Sequence, residues 1–315
     1  MEEKMAHHKL RAGMTSALVV LLTAGLSLQH LNAQAADLAV TKPTPKASVS
    51  SSPQPTQSSP TTLSATDQQI LSRIQNAQNA GGCKLNVTAT STATSLGTCN
   101  ILIVGDSIGN NLSVGLKSQL ASIKGVKVTS RSKASTGLSN SWFYNWPQKL
   151  APMLTQYKPN LVFIMMGAND HQDMKVGKKI LHFGSAAWNA QYAAGMRAMT
   201  SAATKAGAYV VWVGLPVMRP ASYAKAMKTL NSIYEEVATG EVGVSYVATH
   251  DYFADNKGHF RAWVVVNGKR SKVRGDDGIH FAREGQPVLA TYVLDQIQSV
   301  FHVKIAQKSP KRITG

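Results

Sequence analysis

The sequence is poor in cysteine, in acidic residues and in long apolar runs. Its 315 residues include two cysteines, and 16 Asp and Glu residues stand against 33 Lys and Arg residues. Two cysteines without nearby histidines exclude a zinc site, because such a site needs three or four ligands. A single long apolar run excludes a polytopic membrane protein. A hydrophobic content of 43% excludes wholesale disorder.

The excess of basic residues gives a formal charge of +17. Such a surface favours anionic surroundings, which include nucleic acid, anionic lipid and acidic polymer. We expect no nucleic-acid partner, because the basic residues are dispersed and no recognition motif is present.

The first 35 residues are typical of an export signal. A basic segment precedes an apolar run at residues 17–28, and an A-x-A cleavage site follows at residues 33–35. The apolar run is shorter than the ~20 residues that span a bilayer. The pattern therefore predicts a periplasmic or secreted protein with a signal peptide at residues 1–35. An uncleaved membrane anchor is the alternative.

Composition divides the rest of the chain into four segments. Residues 36–66 are rich in Pro, Ser and Thr and predict an extended linker. Residues 67–99 predict a short helix and a loop that holds both cysteines. The main domain is expected at residues 100–305, and residues 306–315 form a basic tail.

The two cysteines, Cys83 and Cys99, both precede the main domain. In an oxidising compartment, a disulfide between them would close a short loop and stabilise the fold by ~3 kcal/mol in the chain-entropy model. Two unpaired thiols are the alternative.

Short apolar segments alternate with helical periodicity in the main domain. The predicted strands span residues 100–104, 126–130, 161–166, 209–215 and 242–248. The main predicted helices span residues 108–123, 185–206, 222–239 and 284–300. Fully apolar strands separated by helices predict a parallel five-stranded sheet in a flavodoxin-like three-layer α/β/α fold. A β-hairpin is also predicted within residues 260–274, with its turn at Asn267-Gly268.

The segment Gly105-Asp106-Ser107 directly follows the first predicted strand. A serine there presents its hydroxyl at a helix N-terminus, where free amides and the helix dipole stabilise a developing anion. The alternative is an N-cap serine without a chemical role. The string also matches the nucleophile elbow of α/β-hydrolases, but that elbow follows several strands and this serine follows the first.

Two further segments lie at the same predicted edge of the sheet. Asn169 follows the third strand, and its amide can donate to an oxyanion, although Asn-Asp pairs also form turns. Asp277 precedes His280 by three residues, so its carboxylate can accept the Nδ1 proton while Nε2 acts as a base. A capping Asp and a surface His are the alternative for this pair. Together the segments predict a nucleophile, an oxyanion donor and an oriented base.

These ordered blocks, within residues 99–303, resemble the SGNH (GDSL-type) hydrolase superfamily. The blocks are GDS, a glycine after the second strand, G-x-N-D, and D-x-x-H before the last helix. The resemblance implies the SGNH hydrolase fold, with Ser107 as nucleophile and Asp277 and His280 as its partners. Ile108 stands where the superfamily usually has leucine.

The resemblance also implies an oxyanion hole made by the amides of Ser107 and Gly137 and the side chain of Asn169. Gly125 is the alternative to Gly137. The strings STGL, WFYNWP, GANDHQ, GLPVMR and DDGIHF resemble a narrower exported branch that is described only as a domain of unknown function. Related exported SGNH proteins remove or transfer acetyl groups on cell-wall glycans and exopolysaccharides.

Aromatic and basic residues near these blocks are candidate substrate contacts. They are Trp142, Tyr144, His171, Arg219, Arg270 and Arg274. An aromatic wall can stack on sugar rings or line an acyl pocket, and core packing is its alternative. A basic rim suits a substrate with carboxylate or phosphate groups, and a solvated charged face is its alternative.

We therefore expect an exported serine esterase that removes short acyl groups, preferably O-acetyl, from cell-envelope glycan or exopolysaccharide. The expected partner is an acylated glycan or another anionic envelope polymer, and no metal or organic cofactor is expected. An O-acyltransferase with the same site and a membrane partner that supplies acyl groups is the nearest alternative. A lysophospholipase or thioesterase with a deep apolar groove is another. A non-catalytic glycan-binding protein is the alternative from a different class.

Overall fold

The computed structural model describes residue 65 and residues 68–72, 99–266 and 268–297. Its strands are β1 (Cys99–Gly105), β2 (Val126–Ser130), β3 (Leu161–Met165), β4 (Met174–Val176), β5 (Lys179–Leu181), β6 (Tyr209–Val213), β7 (Val244–Val247), β8 (Trp263–Val266) and β9 (Lys269–Lys272). Its helices are α1 (Ser107–Leu120), α2 (Trp146–Tyr157), α3 (Ala186–Lys205), α4 (Ala221–Thr239) and α5 (Gly285–Gln296).

Five strands form one parallel sheet in the order β2-β1-β3-β6-β7. In the register of the sheet, Ile103 is opposite Phe163, and Val162 is opposite Val210. Every residue of β3 is buried, as expected for an inner strand of a sheet that is covered on both faces. The predicted parallel five-stranded sheet is confirmed.

Helices cover the sheet in two groups. Helix α1 packs against α5, and α3 packs against α2 and α4. The core contains three fully buried tryptophans, which are Trp146, Trp188 and Trp212. The arrangement is the predicted three-layer α/β/α fold with the flavodoxin-like strand order.

Capping residues begin the helices that flank the site. Asn145 caps α2, because its Oδ1 accepts from the amide of Gln148 at 3.2 Å. Ser185 caps α3 in the same way, with its Oγ 3.2 Å from the amide of Trp188. Both contacts satisfy amides that have no acceptor within the helix.

The strand order reverses at β1, which has β2 on one side and β3 on the other. Open α/β sheets bind ligands beyond the carboxyl ends of the strands at such a point. The backbones of β1 and β3 approach closely here, since a Cβ built on Gly105 would lie 1.8 Å from the carbonyl oxygen of Met165. Only glycine fits at this position, and the chain then turns directly into Ser107.

Two hairpins extend the sheet domain. The predicted hairpin is present as β8 and β9, in which Val266 pairs with Lys269; Asn267 in its turn lies outside the described residues. A second hairpin, β4 and β5, pairs Val176 with Lys179 and was not predicted. Its three-residue strands are too short to show the alternation of apolar and polar residues that predicts a strand.

Most of the predicted N-terminal segments and the basic tail lie outside the described residues, so those domain boundaries stay predictions. Residues 68–72 are helical. Cys99 is buried at the start of β1 and is disulfide-bonded, whereas Cys83, its predicted partner, lies outside the described residues. In the part of the chain that the structure describes, no helix has the length and apolar character needed to cross a membrane.

Candidate active site

The nucleophile turn, residues 105–109, joins β1 to α1. Asp106 is the N-cap of α1, and its Oδ1 accepts from the amides of Ile108 at 2.9 Å and Gly109 at 3.4 Å. Ser107 is the first helical residue. Its amide therefore has no acceptor within the helix and lies at the positive end of the helix dipole.

Asp106 also links this turn to the end of β3. Its Oδ2 accepts from the amides of Gly167 at 2.9 Å and Ala168 at 3.0 Å. Burial raises the pKa of the Asp106 carboxyl to about 7, although these amides favour the charged form. One fully buried side chain thus holds the segment with Ser107 against the segment with Asn169.

Ser107, His280 and Asp277 form a continuous hydrogen-bonded chain. The Oγ of Ser107 lies 2.7 Å from Nε2 of His280, and Nδ1 of His280 lies 2.6 Å from Oδ2 of Asp277. The second carboxylate oxygen of Asp277 accepts from the amides of Ile279 at 2.9 Å and His280 at 3.0 Å. The geometry allows His280 to remove the hydroxyl proton while Asp277 orients the imidazole ring.

The Asp277 carboxyl is ionised over the whole physiological range. Desolvation alone would raise its pKa, but the hydrogen bonds from His280 and the amides of Ile279 and His280 outweigh it and lower the pKa to about 2. Its side chain is 48% exposed. An ionised carboxylate at this position stabilises an imidazolium on His280.

The side chain of Asn169 lies at the end of β3, as predicted. Its Nδ2 donates to the carbonyl oxygen of Thr136 at 3.0 Å, and a primary amide has a second N–H for another acceptor. Thr136 directly precedes Gly137, so the two predicted oxyanion donors are parts of one connected structure. Gly125 lies at the other edge of the sheet, where its carbonyl oxygen accepts from the amide of Cys99.

The loop with Gly137 rests on a buried carboxylate that sequence reasoning did not single out. Asp170 accepts from the amides of Leu138 at 3.1 Å and Ser139 at 2.9 Å, from the Ser139 hydroxyl at 2.6 Å, and from the Tyr192 hydroxyl at 2.8 Å. A Cβ on Gly137 would lie 2.0 Å from Oδ1 of Asp170. Glycine is therefore required there by close contact with the carboxylate. Burial raises the pKa of Asp170.

The predicted aromatic contacts differ in exposure. Trp142 is 80% exposed, and Phe143 is also exposed. Tyr144 is half-buried and packs edge-on against Trp146, with ring centroids 4.8 Å apart. His171 lies against Tyr223, with ring centroids 4.0 Å apart. The exposed rings are accessible to a ligand, whereas Tyr144 contributes to packing.

The two exposed arginines predicted for the rim make different contacts. Arg219 donates to the carbonyl oxygen of Asp276 at 2.6 Å, so it touches the loop that carries Asp277. Arg270 lies on β9, where its guanidinium is 4.9 Å from the ring centroid of Trp263. Within the described residues, no hydrogen bond or ion pair joins Arg270 to Ser107, His280 or Asp277.

The prediction of Arg274 as a substrate-binding rim residue is wrong, because its side chain is fully buried. Its guanidinium donates to the carbonyl oxygens of Val217 at 2.7 Å, Ile279 at 2.8 Å and His280 at 3.4 Å. Burial lowers its pKa to about 9, and the charge of Asp277 opposes that shift. Arg274 is thus an internal support of the loop that carries His280.

Metal-ligating side chains do not gather in the described ranges. Across these residues, no group of three or more His, Cys, Asp or Glu side chains is arranged to hold a metal ion.

Fold and site together define an α/β protein with a Ser-His-Asp constellation at the switch point of a parallel sheet. The chain belongs to the family described as "Protein of unknown function (DUF459)", which matches residues 100–296. The predicted membership of a family described only as a domain of unknown function is confirmed, and the wider SGNH-type resemblance stays a prediction.

Solved structures of esterases and lipases are among those similar to this chain. A catalytic mutant of an acetylxylan esterase from Geobacillus stearothermophilus is 16% identical, with 65% of this chain and 96% of that chain covered and a TM-score of 0.48. A carbohydrate esterase family 3 protein from Talaromyces cellulolyticus is 13% identical, with 64% and 98% covered and a TM-score of 0.45. A GDSL-like lipase from Bacteroides thetaiotaomicron is 13% identical, with 64% and 88% covered and a TM-score of 0.45. A search of curated proteins found no match.

Proposed function

We propose that the chain is an exported serine esterase that hydrolyses short acyl esters, preferably O-acetyl, on a cell-envelope glycan. The observation that carries the proposal is the unbroken chain of hydrogen bonds from Ser107 through His280 to Asp277, with contacts of 2.7 and 2.6 Å. A serine hydroxyl in contact with an oriented imidazole is the arrangement that nucleophilic acyl transfer requires.

In the first half of the reaction, Ser107 Oγ attacks the ester carbonyl carbon as its proton passes to Nε2 of His280. Asp277 stabilises the resulting imidazolium, and the amides of Ser107 and Gly137 with Nδ2 of Asn169 stabilise the tetrahedral oxyanion. The intermediate then collapses, and His280 returns the proton to the departing sugar hydroxyl. An acyl group remains on Ser107.

In the second half, a water molecule gives a proton to Nε2 of His280 and attacks the acyl carbon. The bond between that carbon and Ser107 Oγ then breaks, and His280 returns the proton to Oγ as the acid leaves. The exposure of the site supports water as the acceptor, since the His280 side chain is 39% exposed. An acyltransferase that uses the same site would have to exclude water while a sugar hydroxyl attacks. A membrane partner that supplies acyl groups is part of that alternative.

Two features support a glycan as the carrier of the ester. The exposed rings of Trp142 and Phe143 follow the loop with Gly137 and can stack on sugar rings. The basic composition and the predicted export signal favour an anionic polymer of the cell envelope as the partner.

The test is acetate release by the full chain from p-nitrophenyl acetate and from O-acetylated glycans, with and without a sugar acceptor. Ser107→Ala is compared with Ser113→Ala, a buried serine of α1 whose hydroxyl donates to the carbonyl oxygen of Asn110. We expect release to fall by at least ~10³-fold in Ser107→Ala and to persist in Ser113→Ala.

Release that drops on addition of acceptor while acylated sugar accumulates would favour transfer over hydrolysis. Equal activity of the wild-type protein and a folded Ser107→Ala variant would contradict both the esterase and the acyltransferase. The non-catalytic glycan-binding protein would then be the remaining alternative. A series of p-nitrophenyl esters tests the acyl preference, and faster cleavage of octanoate than of acetate would contradict a short-acyl esterase.

A further inference from the structure

A cavity of about 320 Å³ adjoins the predicted oxyanion loop. It lies between the loop after Gly137, the start of α2, the middle of α3, and the β4–β5 hairpin. The residues that line it include Gly137, Ser141, Asn145, Lys175, Gln191 and Gly195. Its volume is at the lower end of the range for small-ligand pockets, ~300–1,000 Å³, which suits a short sugar segment.

The inner wall of this cavity is connected to Asn169. Trp146, which lines the cavity, donates from Nε1 to Oγ1 of Thr136 at 3.0 Å. The carbonyl oxygen of the same Thr136 accepts from Asn169 Nδ2. The wall and the oxyanion donor therefore share one hydrogen-bonded residue.

The outer wall, the β4–β5 hairpin, is connected to Asn169 as well. Gln172 donates from Nε2 to the carbonyl oxygen of Asn169 at 2.6 Å, and the carbonyl oxygen of Gln172 accepts from Trp188 Nε1 at 3.0 Å. Met174 is buried at the root of the hairpin. Both walls are thus held in fixed positions relative to the ester site, which is the pre-organisation that a binding subsite needs.

The cavity is polar and has one sign of charge. Ser141, Asn145 and Gln191 offer neutral hydrogen-bonding groups for sugar hydroxyls. Lys175 is the charged residue in its described lining, and no carboxylate is present there. Lys178 and Lys179 add to the positive field on the same hairpin, which has no acidic residue at positions 174–181.

We propose that this cavity is a subsite for an anionic sugar unit, whose carboxylate or phosphate group pairs with Lys175, next to the unit that carries the ester. The inference rests on the proposed function, since it places the polymer relative to Ser107. A lysine ammonium pairs with either anion as a point charge, so the shared chemistry is a sugar-borne oxyanion.

The experiment measures equilibrium binding to the full chain with Ser107→Ala, by calorimetry at low salt. The probes are trigalacturonate for the carboxylate, glucose 6-phosphate for the phosphate, and neutral xylotriose. We expect one of the anionic probes to bind at least ~5-fold more tightly than xylotriose, a difference that shrinks at high salt. The probe that binds more tightly identifies the anion. Equal binding of all three would overturn the subsite.

A matched pair of charge variants separates a local contact from the overall positive field. Lys175→Gln is compared with Lys179→Gln, which removes the same charge from the same hairpin outside the described lining of the cavity. We expect Lys175→Gln to weaken binding of the anionic probe ~5-fold and Lys179→Gln to weaken it less than ~2-fold. Equal losses in both variants would contradict the assignment of Lys175.

A second pair tests the cavity through its shape. A Cβ at Gly195 would lie 3.6 Å from the side chain of Leu138, which is ordinary van der Waals contact. Gly195→Ala is therefore accommodated, whereas the longer side chain of Gly195→Leu enters the cavity. We expect Gly195→Leu to weaken binding at least ~10-fold at an unchanged melting temperature. Unchanged binding in this variant would overturn the location of the subsite.

The esterase proposal is tested separately by Ser107-dependent hydrolysis of p-nitrophenyl acetate. Anion-selective, Lys175-dependent binding without such hydrolysis would retain the subsite and overturn the esterase. Ser107-dependent hydrolysis without anion-selective, Lys175-dependent binding would retain the esterase and overturn the subsite.

Discussion

The two halves of the candidate triad are held by buried side chains of opposite type, one acidic and one basic. In the nucleophile turn, Asp106 accepts hydrogen bonds from four backbone amides on α1 and at the end of β3. In the base loop, residues 277–280, Arg274 donates to the carbonyl oxygens of Ile279 and His280 and to that of Val217. A loop that carries a reactive side chain can thus be fixed through its backbone by either a buried carboxyl group that accepts from amides or a buried guanidinium that donates to carbonyl oxygens.

The halves differ in how deeply they are embedded. Asp106 joins the turn to the inner strands of the sheet, whereas Asp277 is about half exposed. Burial raises the pKa of Asp106 to about 7, while hydrogen bonds overcome desolvation and lower that of Asp277 to about 2. Two aspartates near one site therefore have different roles: Asp106 supports the structure, and Asp277 supplies a permanent negative charge to the imidazole.

The largest expected effect that tests the difference between Asp106 and Asp277 is a fall in kcat. Asp277→Asn removes the charge that stabilises an imidazolium on His280 but leaves the exposed loop in place, so kcat for p-nitrophenyl acetate should fall by on the order of 10⁴-fold. The melting temperature should change by only a few degrees. Retention of more than a tenth of the wild-type kcat would show that Asp277 is dispensable.

The complementary change, Asp106→Ala, should mainly affect stability. It leaves four buried amides without their acceptor, which costs roughly 3–5 kcal/mol of unfolding free energy and lowers the melting temperature by about 6–20 °C. Asp276→Ala, at an exposed aspartate paired with Lys272, is the control and should have little effect. Similar melting temperatures for Asp106→Ala and Asp276→Ala would show that Asp106 does not stabilise the nucleophile turn.

Arg274→Met tests the support of the base loop. Loss of the guanidinium leaves three carbonyl oxygens with fewer donors, and we expect a loss of about 2–4 kcal/mol in unfolding free energy. The kcat should also fall, by roughly 10–100-fold, because His280 loses the contact that positions its backbone. Arg219→Met removes an exposed cation from the neighbouring loop, and it should retain stability to within about 1 kcal/mol. A normal kcat in Arg274→Met would show that Arg274 stabilises the fold but does not position His280.

The last expected effect is a pH dependence of stability. Between its ordinary pKa of 3.8 and the folded-state value of about 7, Asp106 keeps a proton in the folded state that the unfolded state has released. The stabilisation is complete below about pH 4 and is lost as the pH rises through 7. The difference between these two pKa values corresponds to roughly 4 kcal/mol of unfolding free energy. The melting temperature should therefore fall by on the order of 10 °C more over this range in the wild-type protein than in Asp106→Asn. Equal slopes for the two proteins would contradict the raised pKa.

The fold was predictable because its strongest signal is local. Segments such as 161–166 are continuously apolar, and such strands between helices can be buried only in a parallel sheet covered on both sides. The short β4–β5 hairpin was missed because its three-residue strands are mostly exposed and too short to show a period of apolar and polar residues. Its turn signal is a glycine, Gly177, with a φ of +60°, and a single glycine occurs in many loops.

The candidate site was predictable to the extent that reactive residue types follow strand ends. Ser107, Asn169 and the Asp277–His280 pair were found because parallel strands bring their carboxyl ends to one edge. The role of Asp170 was missed, since an aspartate after an asparagine is also a common turn residue. The sequence predicts Arg274 at the surface because it follows three other basic residues in the hairpin segment.

The residue order alone specifies the parallel sheet and the chemical groups at its edge, because apolar periodicity and residue type are properties of neighbouring positions. The tertiary structure determines which charged groups are buried. Arg274 lies beneath the base loop, between the rings of Phe260 and Phe281, and Asp170 lies beneath Gly137. Burial depends on contacts between residues far apart in the chain, and it is burial that turns a basic or acidic residue from a surface charge into a support of the site.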